Sequence, residues 1–311
     1  MKKIGILLSS FNGEEYIKTQ VESILQQSYT QWKLFIRDDG SSDNTVKIIK
    51  HLAAMDDRIV LFEEKGNMGI VKSFLTLLRK IDMDYYMFCD QDDFWLEDKL
   101  KNALQLMLVK EQLEQKPYLV HTDLKVVDAS LGLISESMFK YQNILSFTPN
   151  YTTSFFQNNV TGCTIMINRQ LRDLCQISDE IIMHDWWLAL ICHSFGEILF
   201  LRESSILYRQ HLNNSVGASE FGIYYYFSRI FSIKQLIKKT EKKFHQAEAF
   251  YKTYKNKLEK EKQQQIISLI NLKKFSRLKR VYLFKQLKIK MNTPSKTLGL
   301  LILILLSSEN N

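Results

Sequence analysis

Three carboxylates stand within four residues at Asp90-Gln91-Asp92-Asp93, directly after the apolar run YYMFC and just before Phe94 and Trp95. Like charges packed this closely repel one another unless a cation neutralises them. Oxygen ligands at i and i+2 suit Mg²⁺ or Mn²⁺, and Mg²⁺ normally shares its shell with waters and substrate phosphates. The chemistry expected here is a divalent cation held together with a diphosphate. A second pair, Asp38-Asp39, follows the run KLFIR and precedes Gly40-Ser41-Ser42-Asp43. A turn with Asp43 near a helix start accounts for much of that string. Two adjacent carboxylates at a buried strand end still each need a donor, and a nucleobase N–H or a ribose hydroxyl would serve. A third polar string, Ser9-Ser10-Phe11-Asn12-Gly13, follows IGILL and fits a turn and helix cap as well as a ligand contact.

The elements that must position these strings read as alternating short apolar runs and amphipathic stretches. Strands are expected at 4–8, 33–37, 59–62, 85–89 and 118–121, with helices at about 14–27, 43–54, 69–80 and 96–113. Such a βαβα series favours a mainly parallel sheet flanked by helices, whose ligands bind beyond the carboxyl ends of the strands. All three polar strings fall at such ends.

Taken together, SSFNGEEYIKTQVESILQQSY, then RDDGSSDNT, then Asn67-x-Gly69, then DQDD resembles the N-terminal signature of family-2 glycosyltransferases with the GT-A fold. Each motif is short, but four in order over roughly 90 residues are specific. Ser9 is a departure, since the family usually has Pro there. The resemblance implies an α/β, GT-A type nucleotide-diphospho-sugar transferase fold and an inverting, metal-dependent sugar transfer. It implies further that Ser10 and Asn12 lie near the nucleotide and that Asp38 takes the base N–H, with Asp39 the second candidate beside it. Asn67 would approach the ribose or diphosphate, Asp90 and Asp92 would flank the metal and the donor's ribose, and Asp93 would orient the loop.

Beyond residue 150, His184-Asp185-Trp186-Trp187 fits the start of an amphipathic helix, with Asp185 as its first-turn acid and the tryptophans in the core. The resemblance adds another role, because family members carry an acid before such a helix as the catalytic base, and Asp185 matches it. An inverting transfer needs one carboxylate to take the acceptor's proton while its oxygen attacks the anomeric carbon opposite the leaving diphosphate. His184 replaces a first acid of that pattern and would either assist or be structural. Of Trp186 and Trp187, one would stack on the acceptor sugar while the other packs inward. Gly162, ahead of the run TIMIN, would let backbone approach the acceptor. In YRQHLNN, Arg209 and His211 would close over the diphosphate as a cation and as a nitrogen ligand or proton donor, or else belong to a capped loop. The order TGC, HDWWLAL, YRQH resembles the bacterial family-2 enzymes of polysaccharide assembly, many of them rhamnosyltransferases, over about residues 3–217.

Charge divides the chain. Residues 1–217 hold 22 Lys+Arg against 28 Asp+Glu, whereas 218–311 hold 20 against 6, so the overall +8 hides a net of −6 followed by +14. The expected organisation is a catalytic domain over 1–217 and a basic, amphipathic helical region over 218–311, with the boundary near Gly217. Within that region 221–243 has apolar residues spaced by three or four, 265–290 mixes apolar and basic residues, and Leu298–Leu306 is the most apolar stretch, too short to span a bilayer. Either a helical hairpin packed on the catalytic domain or adhesion to an anionic inner membrane leaflet would explain it.

Composition supports a packed core: 45% apolar and 24% charged residues exclude wholesale disorder and a polytopic membrane protein. Four scattered cysteines without C-x-x-C pairing argue against structural zinc and a disulfide framework. The apolar run after Met1 ends at Ser9 and is followed by Glu14 and Glu15, so it reads as a strand and the protein as cytoplasmic, peripheral at the inner face of the cell membrane. The expected reaction moves a sugar, rhamnose from dTDP-rhamnose by resemblance, from a nucleotide diphosphate sugar donor to a lipid-linked saccharide acceptor, with no nucleic acid partner. A nucleotidyltransferase would carry a Gly-rich basic phosphate loop that SSFNGEE is not, and an inactive nucleotide-binding scaffold would not keep both metal carboxylates and base.

Overall fold

A strand buried on both faces reads as a continuous apolar run, and the first elements follow that rule. β1 (Ile4–Ser10), β2 (Trp32–Asp38), β3 (Ile59–Phe62) and β4 (Tyr85–Cys89) alternate with α1 (Ile17–Leu25), α2 (Thr45–Met55) and α3 (Gly69–Lys80). In the computed structural model, which describes residues 1–62, 66–148, 150–211 and 233–307, β1 pairs in parallel with β2 and β4, and β2 with β3. All four carboxyl ends therefore emerge on one edge.

The second half of the sheet departs from a purely parallel plan. After β5 (Phe94–Trp95) and α4 (Lys99–Leu113) come β6 (Tyr118–Val127) and β7 (Leu133–Ser135), then β8 (Met166–Asn168) and the 13-residue β9 (Glu197–Arg209). Strand order is β3-β2-β1-β4-β8-β6-β9-β5, with β7 on β6, nine strands among the described residues. β8 runs antiparallel to β4 and β6, β5 runs antiparallel to β9, and β6 and β9 are parallel. The run TIMIN is a strand only from Met166 onward, because Gly162–Thr164 forms a tight 3-10 turn. The expected strand 118–121 is the first part of the longer β6.

Successive side chains in a strand point to opposite faces, and this splits the core in two. Leu7, Phe35, Tyr86 and Phe88 lie on the face covered by α3 and by α8 (His184–Phe195). Ile6, Leu8, Ile36 and Met87 lie on the face covered by α1, α2 and α4. Before α8 come the short α5 (Met138–Gln142), α6 (Tyr151–Ser154) and α7 (Arg169–Leu174).

The basic region folds as α9 (Ile233–Tyr254), α10 (Lys260–Ile270), α11 (Arg277–Gln286) and α12 (Pro294–Leu306). These helices share the first face's core: Phe244 meets Phe156, and Phe250 meets Phe155 and Trp187, at ring-centroid separations of 5.3–5.5 Å. Cutting the chain after Gly217 would strip that cover, so an independently soluble 1–217 fragment is not expected. The proposed boundary at Gly217, the first part of the 221–243 stretch, and residues 212–214 of YRQHLNN lie outside the described residues.

Candidate active site

The three strand-end loops are tied to each other by side chains. Phe11 donates its N–H to Gln91 Oε1 (2.9 Å), while Gln91 Nε2 donates back to the Phe11 carbonyl (3.0 Å). A Cβ on Gly13 would stand 2.3 Å from that Gln91 oxygen, so a larger residue there would push the Gln91 side chain out of these two bonds. Asn12, in the left-handed region at φ 46°, accepts from the Ser42 N–H at 2.8 Å and links the first loop to the second. Asparagine tolerates that conformation better than most residues.

Asp38 is half-buried and accepts from Ser10 Oγ (2.9 Å), Ser41 Oγ (2.6 Å) and the N–H groups of Gly40 and Ser41. Gly40, at φ +90°, makes this turn and brings it against the Asn67 backbone. Asn12, Asp38 and Asn67 thus stand on joined loops, with the Asn67 side chain exposed, while the fully buried Ser10 holds Asp38 from below. Asp39 is different. It is buried, ion-paired to the fully buried Arg37 at 2.6 Å, and accepts the Met68 and Gly69 N–H groups at the start of α3. Its burial and its ion pair to a buried guanidinium set it apart from the part-exposed Asp38 and give it a structural role in the loop.

The acidic loop is positioned by β5, whose pairing with β9 sets Phe94 against Leu207. That register brings Arg209 and His211 onto the loop. The Arg209 N–H reaches Asp93 Oδ1 (3.3 Å) and its Nε the Asp92 carbonyl (2.8 Å), while its guanidinium lies over the Tyr16 ring at 4.7 Å. Arg209 is nearly fully buried and braces the loop, in place of the expected diphosphate contact. His211 Nε2 meets Asp92 Oδ2 at 2.7 Å, and its ring lies 4.7 Å from that of Tyr16. The roles of Tyr16 and Gln91 have no signature in the sequence, because single residues in a helix start and an acidic loop carry no periodic signal.

Asp90, Asp93 and Cys163 can bring one ligand atom each within 4.8 Å of one another. Asp90 is pushed up to about 7 by burial first, then by the charges of Asp92 and Asp185. Burial and the same crowding raise Asp93 as well, and its Oδ2 has no hydrogen-bond partner among the described residues. An orphaned carboxylate oxygen beside a second carboxylate is the donor chemistry a hard dication satisfies, so the residues fit Mg²⁺ or Mn²⁺. Of the expected ligands, Asp92 and His211 are bonded to each other beside this cluster, and the Cys163 thiol, kept protonated by burial, is a poor donor to a hard cation and lines the site. Lys99, fully buried over Trp95 and lowered to about 8 by burial, adds a positive charge behind the cluster.

Asp185 opens α8 from the other side. It is buried and lifted to about 6 by burial, an effect that hydrogen bonds from the Trp186 and Gly162 N–H groups and from Asn158 oppose. A Cβ on Gly162 would lie 2.9 Å from His184 Nε2, so glycine is required for that approach. His184 packs on Phe74 and Phe88, with ring centroids 4.3 and 5.0 Å away, and neither ring nitrogen has a partner among the described residues. Burial lowers it to about 3, so it is a neutral wedge that fixes Gly162. The tryptophans offer no open face to a sugar. Trp187 is wholly buried with Nε1 on the Gln176 carbonyl (2.8 Å), and Trp186 is all but buried with Nε1 on the Ser154 carbonyl (2.6 Å).

Comparison with known proteins agrees with this geometry. Residues 6–113 match the family described as glycosyl transferase family 2. The chain is 28% identical over 230 residues, 68% of its length and 74% of the relative's, to the dTDP-rhamnosyl transferase RfbG of Shigella flexneri. It is 34% identical over 105 residues, 34% of its length and 41% of the relative's, to the Escherichia coli UDP-Glc:alpha-D-GlcNAc-diphosphoundecaprenol beta-1,3-glucosyltransferase WfgD. The crystal structure of Staphylococcus aureus TarS 1–349 in complex with UDP-GlcNAc superposes with a TM-score of 0.58 at 14% identity, covering 96% of this chain and 83% of that one, which is a likeness of fold. With four strand-end motifs, an acidic loop and a buried carboxylate assembled on that fold, residues 6–113 carry a glycosyl transferase family 2 domain, and the chain as a whole has the GT-A fold.

Proposed function

We propose that this enzyme transfers rhamnose, with inversion, from dTDP-rhamnose to a saccharide carried on a lipid in surface polysaccharide assembly, working in the cytoplasm at the inner face of an anionic membrane. The observation that carries the transfer is Asp185, a buried carboxylate held near 6 and electrostatically coupled to Asp90 across the strand ends. A carboxylate with that value is largely ionised at neutral pH and still a competent proton acceptor. The acceptor hydroxyl gives its proton to Asp185 as its oxygen bonds to the anomeric carbon and the bond to the nucleotide diphosphate breaks with its electron pair. Asn12, Asp38 and Asn67 form the rim for base and ribose, with Ser10 positioning Asp38, and Gly162 leaves room for the acceptor.

Asp90 and Asp93 would hold Mg²⁺ or Mn²⁺, which when bound stabilises negative charge on the departing diphosphate. Asp92, paired with His211 under Tyr16, closes the donor side. Support for the donor sugar comes from the RfbG likeness, and for a diphosphate-lipid acceptor from the WfgD likeness.

A screen of nucleotide sugars for Mn²⁺-dependent hydrolysis and thermal stabilisation tests this reading. dTDP-rhamnose is expected to give the largest response. A response confined to UDP- or GDP-sugars would replace the donor while keeping the transfer, and no response to any nucleotide sugar would remove the transfer itself.

A further inference from the structure

From Lys262 to Ser307 the chain has ten basic residues and no Asp or Glu. Its last two helices carry five large apolar side chains turned to solvent: Leu278, at 87% exposure, and Tyr282 on α11, with Leu298, Ile302 and Leu306 on α12. Their spacing is helical. Leu278, Tyr282 and Lys285 are i, i+4, i+7, and Leu298, Ile302 and Leu306 are i, i+4, i+8, so each set lies along one face. The opposite faces, through Phe284, Leu300 and Ile304, enter the core. α11 and α12 are locked together by Arg280, whose guanidinium donates to the carbonyls of Ile304, Ser307 and Lys273. The inward contacts are complete, and the outward stripes are still apolar.

We propose that the outward faces of α11 and α12 are a docking surface for an anionic lipid bilayer. Lys274, Arg277, Lys279, Lys285, Lys288 and Lys290 are exposed and belong to α11 or the segments beside it, so apolar insertion and attraction to lipid phosphate act at the same place. Two copies of this face would bring two sets of unopposed positive charge together, which disfavours self-association. A nucleic acid backbone would leave the apolar stripes without a partner. α12 has 13 residues and, among the described residues, no helix is long and apolar enough to cross a membrane, so the surface lies on the bilayer.

The surface is joined to the acceptor side of the active site. The Leu287 carbonyl accepts from Thr152 Oγ1 (2.6 Å), the Lys290 N–H donates to Thr153 Oγ1 (3.0 Å), and the Asn292 N–H donates to Gln157 Oε1 (3.0 Å). The next residue, Asn158, reaches Asp185. Bilayer contact at α11 and α12 would therefore hold the Asp185 side of the enzyme near lipid-linked substrate. This deepens the proposed reading and rests on it only for the nature of the acceptor.

Sedimentation of the full chain with vesicles tests the surface directly. At low salt it is expected to pellet with vesicles of phosphatidylglycerol and phosphatidylcholine in equal parts, and not with phosphatidylcholine alone, with binding that weakens as salt rises. Leu278→Asp combined with Ile302→Asp, both at exposed positions, should lower binding at least about tenfold. Lys279→Glu combined with Lys285→Glu, which leaves the apolar stripes intact, should lower it by a similar factor. Both variants should hydrolyse donor, or transfer to a water-soluble acceptor, as the parent does. Failure of the parent to pellet with anionic vesicles, equal binding to phosphatidylcholine alone, or undiminished binding by either variant overturns the proposal. So does a change in oligomeric state by light scattering with vesicle binding unaltered, which would make the face a contact between copies. A parent chain that transfers sugar but does not bind anionic vesicles overturns this inference alone, whereas a wrong donor leaves vesicle binding untouched.

Discussion

Replacing Asp185 with Asn separates a catalytic carboxylate from a structural one, because the two roles predict opposite signs for stability. In the folded chain the Asp185 carboxyl is held at about 6 by burial, against an ordinary value near 4. Between those values the folded state keeps a proton that the unfolded state has lost, so stability falls as pH rises through the interval, and the penalty is fully present above pH 6. Its size is about 3 kcal/mol at neutral pH. A neutral carboxamide escapes that penalty but turns an amino group toward the N–H groups of Gly162 and Trp186, so a net gain of about 1–2 kcal/mol is expected. For a chain of this size the gain raises Tm by a few degrees. Turnover should fall about 10²- to 10⁴-fold, the range for removal of a general base. The parent's kcat should also show an acid limb at or below about pH 6, since a cation at Asp90 lowers the value further, and Asp185→Asn should lack that limb. Differential scanning fluorimetry without metal and a pH–rate profile with donor and acceptor supply both readouts. A variant with near-parental kcat, or one that loses activity together with several degrees of Tm, would refute the assignment.

Three further outcomes follow from the same geometry. Asp39→Asn should cost about 3–5 kcal/mol by leaving the Arg37 guanidinium buried and unpaired, while Asp38→Asn should weaken nucleotide binding by calorimetry with a much smaller loss of Tm. Mn²⁺ should raise Tm more at pH 8 than at pH 5.5, because Asp90 releases its proton only near 7 and a cation must compete with that proton; equal shifts at both pH values would argue against Asp90 as a ligand. Phe250→Ala should cost about 3–5 kcal/mol in denaturant melts, since its ring packs on Phe155, Trp187 and Tyr254; a loss under 1 kcal/mol would mean that α9 is an adornment to the core rather than part of it.

The strand and helix order up to α4 was readable because backbone periodicity and local turn residues act over a few positions, and β1 to β4 are apolar enough to declare themselves. The polar strand ends were equally plain, since Asp90, Asp92 and Asp38 directly follow buried runs, and parallel pairing brings such ends to one edge. Which carboxylate does what was decided by tertiary contacts. Asp38 and Asp39 are neighbours in sequence, yet one faces the rim and the other neutralises Arg37, because adjacent residues in an extended chain point to opposite sides. Asp93 rather than Asp92 converges with Asp90 because β5 pairs with β9, a contact between residues more than a hundred positions apart that no local pattern encodes. The same distance hid the roles of Arg209, His184 and the two tryptophans, whose types suit a ligand site and a core equally well. Charge counting found the basic region, and its helical spacing was visible. Only the packing of Phe244, Phe250, Leu300 and Ile304 into the first face's core decided which of its apolar residues are inside, and so which remain outside to meet a partner.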